Sequence, residues 1–121
     1  MIPKIFDAEM KLLKIVWENE PMTSAMLVSL CAERLGWNKS TTYTVLRKLC
    51  ERGILQNDHS TVTSIAKRAD VQEYESKTVM ERSFDDSLPQ FIAAFMNDRK
   101  LSPDEAEEIK RLIDRYTSES D

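Results

Sequence analysis

Apolar residues recur at helical spacing along most of this chain, and the places where the spacing breaks mark its elements. Asp7 to Trp17 carries Met10, Leu13, Val16 and Trp17 as one stripe, which predicts a first helix capped by Asp7. Asn19 to Met22 reads as a connection broken by Pro21. Thr23 or Ser24 can cap a second helix, in which Leu27, Leu30, Cys31 and Leu35 share a face before Gly36 ends it. A short turn, Gly36-Trp37, leads into a third helix held between the N-cap residue Asn38 and the stop at Gly53. With side chains about 100° apart, Thr42, Val45, Leu46, Leu49 and Cys50 gather on its inner face. Ser40, Thr44, Arg47 and Glu51 point the opposite way, with Thr41, Tyr43 and Lys48 on the flanks.

Beyond Gly53 the period changes. Ile54-Leu55-Gln56-Asn57 begins a strand, Asp58-His59-Ser60 is turn-like, and the β-branched run Thr61 to Ala66 returns as a second strand. Two helices joined by a few residues and followed by a β-hairpin make a winged helix-turn-helix, with its wing tip at Asp58-His59-Ser60. Asp70 to Arg82 is helix-compatible but polar. Asp85-Asp86-Ser87 then caps a more apolar helix in which Leu88, Phe91, Ile92, Phe95 and Met96 line up, with Pro89 tolerated in the first turn. Ser102-Pro103-Asp104-Glu105 is a strong helix start, with a Ser cap, Pro at the first position and Glu to complete a capping box. Ala106, Ile109, Leu112, Ile113 and Tyr116 share a face of that last helix, which is expected to fray through Thr117, Ser118, Glu119, Ser120 and Asp121. The expected fold is mainly α with a small β-hairpin. A winged helix-turn-helix head occupies residues 1–69 and a helical dimerisation region residues 70–121.

Charge sharpens this division. The chain is acidic overall at −4, but residues 1–69 hold ten Lys/Arg against seven Asp/Glu, while residues 70–121 hold seven against fourteen. The head is therefore mildly basic and the tail strongly acidic, which fits a DNA-binding head on an assembling tail. The outward face of the third helix agrees. Ser and Thr are poor helix formers, but they let a helix lie close to another surface. With Arg47 and Lys48 beside them they suit base edges and phosphates. The DNA-binding set is Lys39, Ser40, Thr41, Tyr43, Thr44, Arg47 and Lys48, with Lys67 after the second strand as a further basic candidate. A head this weakly basic binds poorly as a single copy.

The tail gives a reason for two copies. About fifty residues with two strongly amphipathic helices cannot bury both faces well alone. Either the tail folds back on the head or it pairs with a second copy; pairing is the favoured expectation, with Leu88, Phe91, Ile92, Phe95, Ile109, Leu112 and Ile113 at a homodimer contact and the phenylalanines at its centre. One histidine (His59), two cysteines on apolar helix faces (Cys31 and Cys50) and no Gly-rich phosphate loop give little material for catalysis. No enzyme, metal site or cofactor is expected, and the cysteines read as small buried hydrophobes. No apolar run is long enough for a transmembrane helix and no secretory signal is apparent, so a cytoplasmic protein is expected.

The order and spacing of three blocks resemble the penicillinase-repressor family, the winged-helix repressors of β-lactamase and methicillin-resistance operons. The blocks are Asp7-Ala8-Glu9 with Ile15-Val16-Trp17, then Trp37 through Gly53, then Phe84 through Glu105. The resemblance implies a homodimer held by C-terminal helices, binding a palindromic operator in double-stranded DNA and blocking transcription. It also implies relief of repression through a membrane-bound β-lactam sensor and proteolysis. The family's scissile Asn-Phe pair corresponds to Ala94-Phe95 here, so Ala replaces Asn. A copper-responsive branch carries a Cys-rich C-terminal motif, which this tail lacks. The wing turn also lacks the basic residues common in the family. The expected function is a homodimeric repressor of a β-lactam-resistance or related operon. The rival reading is a winged helix that binds protein without DNA.

Overall fold

The computed structural model describes residues 2–118. Its elements are α1 (Asp7–Asn19), β1 (Met22–Thr23), α2 (Ser24–Leu35), α3 (Lys39–Glu51), β2 (Leu55–Asp58), β3 (Thr61–Ser64), α4 (Arg68–Ser83), α5 (Leu88–Phe95) and α6 (Pro103–Ser118). The strands form an antiparallel sheet in the order β1-β3-β2. β1 is the element that hydrophobic spacing missed. Met22 pairs with Val62 and Thr23 with Thr61, so the stretch after Pro21 becomes a strand by borrowing its hydrogen bonds from the hairpin. Two residues are too few to show a period of their own.

Contacts divide the chain into two compact units, Met1–Thr78 and Val79–Asp121. The first has one apolar core. Leu12, Leu13, Val16, Leu27, Cys31, Leu46, Leu49, Ile54, Leu55 and Val62 meet in it from three helices and the sheet. Val71 belongs to the same core, so the start of α4 is part of this unit and the unit extends beyond residue 69. Burial also pushes both thiols up, opposed in part at Cys31 by the Thr42 hydroxyl and at Cys50 by a backbone bond from Asn57, and both cysteines are free.

Three connections hold α3 in this unit. Asn38 caps it, its Oδ1 accepting the Thr41 N–H at 2.8 Å. At the other end Gly53 takes φ +74°, and the Gly53 and Ile54 N–H groups donate back to the Cys50 and Leu49 carbonyls. That is a Schellman closure, and it turns the chain directly into β2. Arg52 then reaches the start of α1, where Nη1 donates to the Lys4 carbonyl at 2.8 Å and Nη2 pairs with the Glu9 carboxylate. Glu9 also accepts the Phe6 N–H at 2.9 Å. The N-cap of α1 is therefore Phe6, with Asp7 inside the first turn, because Glu9 satisfies the cap from within the helix.

The second unit is built differently. Ser87 caps α5, accepting the Gln90 N–H at 3.2 Å, and Ser102 caps α6, accepting the Glu105 N–H at 3.1 Å. Phe91 packs edge-on against Phe84 with centroids 5.3 Å apart and stacks on Phe95 at 5.8 Å. Among the described residues of this unit none is buried. α6 stays helical through Thr117 and Ser118, where fraying was expected; the fraying expected at Glu119, Ser120 and Asp121 lies outside the described residues. No described helix is long and apolar enough to cross a membrane.

Candidate nucleic-acid interface

The face of α3 follows the helical-wheel expectation closely. Thr42, Leu46 and Leu49 are buried, and Val45 and Cys50 half-buried. Thr42 keeps its hydroxyl satisfied inside the core by donating to the Asn38 carbonyl at 3.2 Å. Lys39, Ser40, Thr41, Arg47, Lys48 and Glu51 are exposed. Arg47 Nε lies 3.9 Å from a Glu51 carboxylate oxygen, an open i,i+4 pair that is weak enough for Arg47 to leave it for a phosphate. Thr44 is half-buried on the same side.

Tyr43 does more than lie on a flank. Its ring packs against the core, Lys39 Nζ stands 6.0 Å from the ring centroid, and its hydroxyl lies 3.4 Å from Ser24 Oγ at the start of α2. Ser24 in turn donates its N–H to the Ser60 carbonyl at 2.8 Å. Thr23 caps α2 by accepting the Met26 N–H at 3.0 Å. Through Tyr43, Ser24 and Ser60, the third helix, the N-terminus of α2 and the wing tip are tied together. These links are separated in sequence and gave no sequence signal.

The wing is tighter than expected. Asp58 pairs with Thr61, so the loop is His59-Ser60 alone, with φ of +50° and +68°. Two consecutive residues with positive φ make the primed turn that matches the twist of a hairpin. Lys67 lies apart from this face in its bonding. Its Nζ donates to the Ser64 carbonyl at 2.8 Å and the Ser64 hydroxyl at 3.1 Å, and lies 3.5 Å from Glu20. Burial alone would raise the Glu20 carboxyl. Hydrogen bonds from the Ser64 N–H and hydroxyl, with the Lys67 charge, outweigh it and hold Glu20 below the usual carboxylate range. Lys67 is thus engaged in anchoring the base of β3, which a charge count could not reveal.

The candidate site is a convex helix face beside a turn. An open hollow of about 570 Å³, lined by Ile2, Gly53, Ile65 and Tyr74 among others, includes none of the outward α3 side chains. In the second unit, Leu88, Ile92, Phe95, Ile109, Leu112 and Ile113 are exposed, whereas Phe91 is half-buried against Phe84. Ala94 and Phe95 both lie exposed in the last turn of α5.

A model of the penicillinase repressor family matches residues 5–115 of this chain. The chain is 23% identical over 120 residues to the penicillinase repressor of Bacillus licheniformis, covering 95% of this chain and 93% of that protein. It resembles the solution structure of the DNA binding domain of the repressor BlaI with a TM-score of 0.51 and 24% identity, over 58% of this chain and 90% of that one. The monomeric form of BlaI from Bacillus licheniformis, solved in complex with the blaP half-operator, matches with the same TM-score and coverage at 23% identity. Both likenesses carry the winged-helix fold. Because the family model spans nearly the whole chain, this protein belongs to the penicillinase repressor family.

Proposed function

We propose that this protein is a homodimeric, DNA-binding transcriptional repressor acting in the cytoplasm on a palindromic operator of a β-lactam-resistance or related operon. The observation that carries the reading is the outer face of α3. It offers exposed hydroxyls and cations on a helix whose inner face is fixed in a core. In this reading α3 lies in a major groove. Ser40, Thr41, Thr44 and Arg47 meet bases and nearby phosphates, and Lys39 and Lys48 hold the backbone. Tyr43 contributes at its edge while bracing α2. Lys67 stays with Glu20 and makes at most a secondary contact.

The winged-helix unit, which runs to Thr78, does the reading, and the helices of the second unit pair two copies. Support for the pairing comes from the apolar side chains left open on α5 and α6, a burden that a second copy would remove. The operon's identity and relief of repression by cleavage at Ala94-Phe95, downstream of a membrane sensor, rest on family membership. Recovery of bound genomic DNA tests the whole reading. An inverted repeat with half-sites one or more helical turns apart, bound by two chains in a salt-sensitive manner, is the expected result. Absence of any salt-sensitive DNA binding would instead favour a winged helix that recognises protein.

A further inference from the structure

We propose that Arg52 and Glu9 are positioning residues for DNA reading: their pair fixes the C-terminal end of α3 on α1, so that the outer face meets the duplex in one orientation. This rests on the DNA-reading function proposed above. Arg52 is the C-cap residue of α3, between Glu51 and the turn at Gly53. Its guanidinium turns to the start of α1. There Nη1 donates to the Lys4 carbonyl at 2.8 Å, Nη2 pairs with the Glu9 carboxylate, and the group stands 5.8 Å from the Phe6 ring centroid. The Glu9 oxygen that accepts from Arg52 also accepts the Phe6 N–H. Both side chains are largely withdrawn from water, at 29% exposure for Arg52 and 8% for Glu9. Arg52 Nε is buried and has no hydrogen-bond partner among the described residues.

Stability is a poor reason for this arrangement. Taking a carboxylate and a guanidinium out of water costs as much as their attraction returns, and well-packed apolar side chains of similar volume often do as well or better. The orphaned Nε adds to that cost. What the pair supplies, and packing does not, is direction. Val45, Leu46 and Leu49 hold α3 to the core by contacts that depend little on angle. Cores built from apolar contacts alone lose a unique arrangement before they lose stability. A planar guanidinium bonded at once to a carbonyl and a carboxylate admits few orientations. The two ends of α3 are held by different means. Asn38 and the Tyr43–Ser24 contact serve its first half, and Arg52 serves its close. Arg47 and Lys48 lie in the last turns before Arg52 and move with that end. A recognition face has to be held to within about 0.5 Å to discriminate.

The test uses the full chain and two probes, the duplex that the native protein enriches from a random-sequence pool and the unselected pool itself. E9M combined with R52M replaces the pair by apolar side chains and leaves the net charge unchanged. Its melting temperature should equal or exceed that of the native protein. Its affinity for the unselected pool and its salt slope should stay the same, while its preference for the enriched duplex falls about tenfold, the worth of one good base contact. R52K keeps the charge but cannot make the forked bond, and it should lose a smaller part of that preference without unfolding. Where the double variant does not fold, R52K decides. Native preference in a folded double variant, or in R52K, overturns the positioning role while leaving the DNA-reading function intact. A salt slope lowered by about one unit per copy in the double variant also overturns it, because Arg52 would then touch phosphate itself. No duplex binding by the native protein at low salt overturns the DNA-reading function, and the positioning role with it.

Discussion

The two units use the same kind of sequence to different ends. In the first, fourteen apolar side chains are buried among the described residues, and α1, α2, α3, the start of α4 and the sheet cover one another. In the second, α5 and α6 have equally clear apolar faces, yet Leu88 is 55% exposed, Phe95 50% and Ile113 54%. Periodicity says which face of a helix is apolar. It does not say whether the same chain supplies the cover. In Met1–Thr78 the apolar stripes of α1, α2 and α3 are used up against each other, while in Val79–Asp121 they remain available to a partner.

The largest effect that would test this contrast is on folding. Leu27→Ala, at a fully buried position, should cost about 2–5 kcal/mol and be seen as a drop in the denaturant midpoint. A cost below the lower figure would mean the first unit's core is not closed. Next comes assembly. Ile92→Asp combined with Ile113→Asp should weaken self-association by at least about 2 kcal/mol, or roughly thirty-fold, in sedimentation. The thermal transition of the first unit should hardly move. A double variant that stays dimeric would place the pairing surface elsewhere.

A smaller effect separates the two units by charge. Arg47→Ala should lower the salt slope of DNA binding by about one unit per copy, while Arg111→Ala on α6 should leave it unchanged. Equal losses would remove the special place of α3. The smallest effect concerns Glu20. Its carboxyl is held below the ordinary value of 4.5 in the folded protein, so its contribution is present above that value and disappears as pH falls through the folded value. Denaturant melts below about pH 4.5 should lose stability less steeply in Glu20→Gln than in the native protein. Parallel curves would mean that the Ser64 and Lys67 bonds do not favour the charged form.

Much of the fold could be read from local chemistry. Asn38, Gly53, Ser87 and Ser102 each act at a helix end where their side chain or backbone freedom predicts it. The inner and outer faces of α3 follow from spacing alone. What escaped depends on partners far along the chain. β1 exists because β3 pairs with it, and Phe6 displaces Asp7 as the cap because Glu9 satisfies the Phe6 N–H and is itself held by Arg52. Lys67 is a basic candidate for DNA by charge alone, but Glu20 at the end of α1 lies beside it. The open faces of α5 and α6 were legible both as apolar faces and as more apolar surface than so short a tail can cover.

The bonds from Tyr43 through Ser24 to Ser60 have a further consequence. They join α3, its neighbour α2 and the hairpin tip into a single plate, through the 2.8 Å Ser24–Ser60 bond and the longer 3.4 Å Tyr43–Ser24 contact. On the proposed dimer, an inducing signal gains little by deforming either plate. It would have to change how far apart the two plates are held, a distance that in this reading the paired tails would set.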